Sequence, residues 1–417
     1  MLKISNRAVI EITLATWFIV TVLYLIYTPI GLNSHDFGGH VDFTKVIVRD
    51  HKLPTPFEGW EAYQPPLYYL INSFLSPKSL LSDITIHCNY VRAMSVLYGA
   101  ITLLLIFWLL GKVANINNFH KLLVLLFIAT TPKFIFVFST YNNDSLATML
   151  SVALLVISYM LYLNWSKKKA LLLLLISIAA VYTKLSAIAA IILVVLVCSR
   201  NLLKLKFPNI FELKIIFILI ISVLSLLPWC IMHNHAYTGQ FFPLNKDGLG
   251  GNVRYEKGQA LKVLSPFAVF SNIPEHKWDE PWAYPSHHQS SKRFDYLSYS
   301  FITSIIAEFT YNTPTANWAW ALLIIHLVIY LTSFKEVLRS KLTKLAGLTI
   351  LTGHMIQILF MLFALTSCGM DYRYVAWTWA GWAILYASNL TRKHNNIISK
   401  LLMVGILIQI YFVLNIT

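Results

Sequence analysis

Charge is what this chain has least of. Only 12% of its 417 residues are Asp, Glu, Lys or Arg, roughly half the share usual in a soluble domain, and a soluble globular fold is excluded. Cysteine is scarce too: Cys88, Cys198, Cys230 and Cys368 show no CxxC spacing, so neither a zinc knuckle nor a redox motif has support. No small-residue cleavage site follows the first apolar run, 8–30, which exceeds the roughly 7–15 residues of a signal-peptide core. It reads as a retained helix. No internal repeat or low-complexity tract is evident, which argues against transporters built on repeats.

What is abundant is apolar. Hydrophobic residues make up 57% of the chain and the mean hydropathy is +0.63, the composition of an integral membrane protein. The formal charge of +15 could suggest nucleic acid, but Lys and Arg fall in short blocks between apolar runs, as the positive-inside rule expects. Lipids, and not nucleic acid, are the first expected partners.

Runs able to cross a bilayer lie near 8–30, 90–112, 120–138, 145–164, 214–232, 317–334, 345–366, 374–390 and 397–416. A further run, 170–198, is too long for one span and too short for two. Lys167 to Lys169 before it and Arg200, Lys204, Lys206 and Lys214 after it both belong on the cytoplasmic side. The run therefore reads as a hairpin of short helices with Lys184 near its tip. The expectation is a single all-α polytopic domain over 1–417 with about 11 crossings, N-terminus inside and Thr417 outside. The outer face then carries 31–89, with short amphipathic segments suited to the interface, the brief 139–144, and the long loop 233–316.

These outer stretches hold the residues with chemistry in them. "SHDFGGHVDF", 34–43, crowds His35, Asp36, His40 and Asp42 around Gly38 and Gly39. Asp36 either caps the helix that follows or takes a proton from an attacking hydroxyl. "YQPPLYYL", 63–70, opens rigidly through proline, and Gln64 ahead of it offers both a donor and an acceptor. In "STYNNDSLATML", 139–150, Asn143 and Asp144 either cap a re-entering span or add a second acidic group to the outer face. Lys184 in "AVYTKLSAIA" is costly at mid-membrane, about 2.5–3.5 kcal/mol on insertion scales. It either snorkels or meets an anionic headgroup. "CGMDYRYVAW", 368–377, offers Arg373, whose planar fork matches phosphate oxygens, or a plain Asp371–Arg373 surface pair. His233, His235, His287 and His288 fit no standard zinc spacing, and a divalent cation has no support from them.

In motif order over nearly the whole chain, the sequence resembles the GT-C superfamily of polytopic glycosyltransferases. The nearest likeness is to bacterial relatives of the protein O-mannosyltransferases, which use dolichyl-phosphate-mannose, and of the lipid A aminoarabinose transferase. An acidic motif with a trailing His follows the first span, as Asp36 and His40 do; then come "QPPLYY", the "NDSLA" turn at 143–147, the "TK" hairpin at 183–184 and the "RY" turn at 373–374. The family has Asp-Glu in its first loop, whereas Phe37 follows Asp36 here and the next carboxylate is Asp42.

What the resemblance implies is an inverting transfer of a sugar from a polyprenyl-phosphate carrier to a glycan, lipid or protein acceptor, on the periplasmic or luminal face of a membrane, by its flavour a bacterial inner membrane. It makes Asp36 the base or acceptor-orienting carboxylate, assisted by His40. Lys184 and Arg373 become the cations for the leaving phosphate. Gln64, Asn143, Asp144 and Tyr374 become positioning residues, and no metal ligand is assigned. A transporter or flippase of a lipid-linked sugar or another anion is the rival, since it too wants an intramembrane Lys and an outer Arg. A purely structural subunit would leave Lys184 unexplained.

Overall fold

The computed structural model describes residues 4–28, 36–59, 61–113, 115–203, 210–241, 296–307, 314–315, 318–364, 372–392 and 396–415, and every regular element among them is helical. His35, His287, His288, Cys368, Asp371 and most of the 233–316 loop lie outside the described residues.

In chain order the helices are α1 (Asn6–Tyr27), α2 (Phe37–Asp50), α3 (Leu67–Ser73), α4 (Pro77–Ser82), α5 (Ile84–Leu110), α6 (Asn118–Ala129), α7 (Pro132–Ser139), α8 (Asp144–Leu163), α9 (Lys167–Thr183), α10 (Ile188–Leu203) and α11 (Ile210–Leu224). Helical backbone continues from α11 to Thr238 through a π-helical stretch, Cys230–His235. Tyr296–Ile306, Ala319–Phe334, Lys341–Ala364, a 3₁₀ segment Tyr372–Thr378, Trp379–Leu390 and Asn396–Leu414 follow. Every apolar run read from the sequence contains a helix.

Among the described residues, 6 helices are long and apolar enough to cross a membrane, or 7 if the bent pair α6–α7 is one span. Leu185–Cys198 and Ala319–Phe334 are shorter apolar helices. The chain is thus a polytopic helical membrane protein, while the expected total of about 11 crossings rests on charge parity alone.

The α6–α7 pair bends by 63° at Thr130, Thr131 and Pro132, where proline cannot donate to the helical ladder. Backbone freed inside a membrane needs other partners. Hydroxyls supply some, Thr130 Oγ1 donating to Leu126 O at 2.8 Å and Thr131 Oγ1 to Phe127 O at 2.7 Å. The amide of Gln409 closes the break, its Oε1 2.7 Å from Thr130 Oγ1 and its Nε2 3.2 Å from Thr131 Oγ1 and 2.9 Å from His326 Nε2.

The chain divides into two compact units, one made of 1–33, 99–140 and 255–417, the other of 34–98 and 141–254. In the first, Trp17 meets Phe134 edge-on with ring centroids 5.1 Å apart. A Cβ at Gly99 would stand 2.5 Å from Trp17 Cζ2, so only glycine lets α5 approach there. In the second unit α9 packs on α8 and α11, α10 on the same two helices, α2 on α3 and α4, and α3 on α9. Hydroxyl pairs stitch it, Ser177 to Ser222 at 2.5 Å and Ser95 to Ser145 at 3.2 Å. Such short polar contacts suit helices that have no water to turn to.

Candidate functional site

Most residues singled out by the sequence fall in the second unit. Asp36 occupies the N-cap position of α2 with φ 61° and ψ 14°, and its side chain makes no capping hydrogen bond. The capping reading of Asp36 is corrected by this: the left-handed residue offers its backbone carbonyl to His40 N, at 3.0 Å, and its carboxylate makes no capping bond. Asp tolerates that region better than most residues.

Helix α2 has a buried face of His40, Val41, Phe43, Thr44 and Val46, while Asp42 is exposed. Asp42 therefore does not join His40, being about 200° away around the helix. His40 Nδ1 lies 2.9 Å from Tyr69 Oη, and Tyr69 stacks flat on Phe43 at 3.8 Å. Burial first, then the Glu61 carboxylate, pushes the Tyr69 phenol far above its ordinary pKa, so that it stays protonated. Burial also raises Tyr68 and Tyr141. Thr44 Oγ1 donates to His40 O at 3.0 Å; its contact with Tyr141 Oη at 2.9 Å is then one in which the phenol donates.

Gln64 is buried, with Nε2 3.3 Å from Tyr63 Oη and its backbone N–H on Glu61 O at 2.9 Å. Pro66 directly precedes α3 and its carbonyl accepts from Leu70 N at 2.9 Å, as the rigid-entry reading expected.

Asn143 stands at the N-cap position of α8 but caps nothing. That service falls to Asn142, whose Oδ1 accepts from Ser145 N at 3.1 Å. Asn143 is fully buried, and neither Oδ1 nor Nδ2 has a hydrogen-bond partner. Leaving such a group unsatisfied costs about 1–3 kcal/mol. The next residue, Asp144, is the first of α8, and its Oδ1 accepts from Lys184 Nζ at 2.6 Å. Lys184 sits at the break after α9, in extended conformation, ahead of the 3₁₀ turn Leu185–Ala187. The lysine does not snorkel: the two side chains are 8% and 3% exposed.

Arg373 and Tyr374 belong to the first unit, on the 3₁₀ segment whose start is fixed by Tyr372 N donating to Thr303 Oγ1 at 3.2 Å. Arg373 Nη2 donates to Tyr374 Oη at 3.1 Å and its guanidinium lies 5.0 Å from that ring's centre. The histidines at the end of the second unit do not converge. His233 stacks on Trp229 at 3.7 Å and reaches Pro54 O at 2.7 Å, while His235 stacks on Phe241.

The structure thus joins Asp144 with Lys184 and His40 with Tyr69, while Asn143 is buried next to Asp144 in the chain. Sequence reading missed Glu61, Tyr69, Tyr141, Thr44 and His87, whose Nδ1 donates to Leu75 O at 2.6 Å. Glu61 had a usable signal, a lone acid inside the aromatic stretch "GWEAYQPP", and it is buried. The others are hydroxyls and rings that only the packing of α2, α3, α5 and α8 assembles.

No family model matches the chain, and no curated protein matches it in sequence. Solved structures do. The oligosaccharyltransferase of Archaeoglobus fulgidus in its apo form aligns with 99% of this chain and 56% of its own at 12% identity and a TM-score of 0.50. The same enzyme in complex with Zn and sulfate aligns with 98% and 53% at 11% identity and a TM-score of 0.50. ArnT from Cupriavidus metallidurans bound to undecaprenyl phosphate aligns with 92% of this chain and 77% of its own at 13% identity and a TM-score of 0.39. The chain spans a little over half the length of the archaeal enzyme. Among the described residues no three His, Cys, Asp or Glu come together as a ligand set, and Phe37 follows Asp36. What the alignment carries is architecture: the chain shares the fold of that archaeal oligosaccharyltransferase.

Proposed function

We propose that the chain is an inverting glycosyltransferase that moves a sugar from a polyprenyl-phosphate carrier to an acceptor on the outer, periplasmic or luminal, side of the membrane. The observation that carries this reading is the buried pair of Asp144 and Lys184, with Asn143 before Asp144 in the chain. An ammonium and its carboxylate are buried together, and the amide of the preceding residue is buried with no hydrogen-bond partner, in a chain with the fold of an oligosaccharyltransferase. Such groups are expensive unless a polar, anionic ligand uses them.

In this reading the acceptor hydroxyl oxygen bonds to the anomeric carbon from the face opposite the phosphate. The bond from that carbon to the phosphate oxygen breaks, and its electron pair leaves with the carrier. Asp36 receives the hydroxyl proton or orients the hydroxyl, and His40, held by Tyr69, assists it. Lys184 meets the charge that develops on the departing phosphate. Arg373, braced on Tyr374, is proposed for phosphate-oxygen recognition through its planar fork. Gln64, Asn143, Asp144 and Tyr374 position sugar or acceptor. A bacterial inner membrane is part of the proposal, as the motif resemblance implies.

The test is release of polyprenyl phosphate from a radiolabelled polyprenyl-phospho-sugar by the purified protein in detergent, with membrane extract as acceptor. Wild type should release it and Asp36→Asn should not, while retaining the donor. Near-normal release by that variant would remove Asp36 from the chemistry. No release by wild type across a panel of donors would favour a flippase, to be read in a vesicle flip assay.

A further inference from the structure

The Lys184–Asp144 contact, 2.6 Å between side chains only 8% and 3% exposed, is as close as a phosphate oxygen would come to the same ammonium. Carboxylate and phosphate therefore compete for one position. We infer that Asp144 is an exchangeable counter-ion: it holds Lys184 while no carrier is bound, yields it to the carrier phosphate, and reclaims it to expel the spent carrier. The inference rests on the reading of Lys184 as the phosphate-holding cation.

Both partners of the pair are built to part. Asp144 is the first residue of a 20-residue helix, so the positive end of the α8 dipole stabilises its charge when the ammonium turns elsewhere. Lys184 lies at a helix break in extended conformation, its N–H closing α9 on Ala180 O at 3.1 Å, with a 3₁₀ turn following it. Asn143, beside the pair, keeps a donor and an acceptor that no protein group uses. A pair serving only to clamp α8 to α9 would have no need of that amide, and the helix start is already capped by Asn142.

Charge sets the direction of the exchange. The sugar-bearing carrier is a phosphodiester with a single negative charge. Once the sugar leaves, the carrier is a phosphomonoester approaching two charges near neutral pH, with a second pKa of about 6. Repulsion from the Asp144 carboxylate therefore rises at the moment of transfer, and an added charge a few ångströms away in such surroundings is worth on the order of tenfold or more in affinity. Asp144 favours loaded carrier over spent carrier, which is the preference turnover needs.

Binding measurements on the purified full chain in nanodiscs decide it, using undecaprenyl phosphate as the monoester and a methyl phosphodiester of the same lipid. Wild type should bind the diester more tightly than the monoester, the reverse of what an uncompensated lysine would do. Asp144→Asn should reverse that order and tighten the monoester by about tenfold or more, and Lys184→Gln should weaken both lipids. Unchanged affinities in Lys184→Gln, or no binding of either lipid by wild type, would overturn the phosphate reading of Lys184 and this inference with it. A loss in Lys184→Gln together with no tightening in Asp144→Asn would overturn the exchange alone. Should Asp144→Asn fail to fold, the wild-type order decides, and a monoester preference there overturns the exchange.

Discussion

Glu336 in the first unit and Asp144 in the second are both buried carboxylates in ion pairs, and the two are held in opposite ways. Glu336, with its side chain fully buried in the first unit, faces two arginines, Arg339 at 3.0 Å and Arg392, whose side chains are 42% and 50% exposed. Ser388 Oγ adds a contact at 3.4 Å, and Arg339 Nη1 also bonds Ser388 O at 2.9 Å and Thr391 Oγ1 at 3.0 Å. That knot ties the end of Trp379–Leu390 and leaves its cations at a wet rim. Asp144 in the second unit faces the Lys184 ammonium, sealed from solvent, and the residue before it, Asn143, has a buried amide with no hydrogen-bond partner. The rim knot is held by cations that can return to water; the sealed pair has no such exit.

The sharpest way to break this contrast is to remove the sealed cation. Lys184→Met removes the ammonium that faces buried Asp144, which should cost about 3–5 kcal/mol in detergent unfolding, whereas Lys184→Met with Asp144→Leu should recover most of it. Equal melting of the single and double variants would show that the charge pair is not what the buried site responds to.

A neutral network sets the scale in between. Gln409→Leu strips the amide from Thr130, Thr131 and His326 at the α6–α7 bend, and should cost about 1–3 kcal/mol, with no sensitivity to salt. A loss below the error of unfolding measurements would mean that the i−4 hydroxyl bonds of Thr130 and Thr131 already support the bend by themselves.

Glu336→Gln should cost less, about 1 kcal/mol, and less still in high salt. The half-exposed arginines can return to water, and Arg339 keeps Ser388 O and Thr391 Oγ1. A loss as large as that of Lys184→Met would erase the distinction between rim and sealed pair.

What could be read ahead of the structure follows the same divide. The helices were legible because apolar length in a bilayer has few solutions, and Lys184 stood out because a charge inside an apolar run is anomalous wherever it falls. Its partner was not legible: Asp144 lies 40 positions earlier, and no local pattern links the two. The capping readings of Asp36 and Asn143 were reasonable from residue type, yet side-chain direction decided them, and sequence does not carry it. Glu336 drew no notice within a basic block, where it reads as solvated; only the return of Trp379–Leu390 buries it. The bend at Thr130–Pro132 was written in the proline, but the glutamine that closes it comes from the last helix.

The smallest effect on stability should be the most telling about function, and it compares two neighbours of identical chemistry. Asn142 and Asn143 are both buried asparagines, but Asn142 Oδ1 caps α8 through Ser145 N at 3.1 Å while Asn143 has no partner for either polar atom. Asn142→Ala should therefore destabilise by about 1 kcal/mol, as the loss of a helix cap does, and lower transfer only as far as folding falls. Asn143→Leu, close to the same volume without the unsatisfied amide, should leave unfolding unchanged or raise stability by up to about 1 kcal/mol. Transfer should nevertheless fall at least tenfold, roughly the value of a hydrogen bond to a bound ligand. Natural residues that make a protein less stable than an apolar replacement persist where something other than the fold requires them. If Asn143→Leu melts early and keeps its activity, the amide serves the packing of α8, and the contrast between the two buried carboxylates loses its functional half.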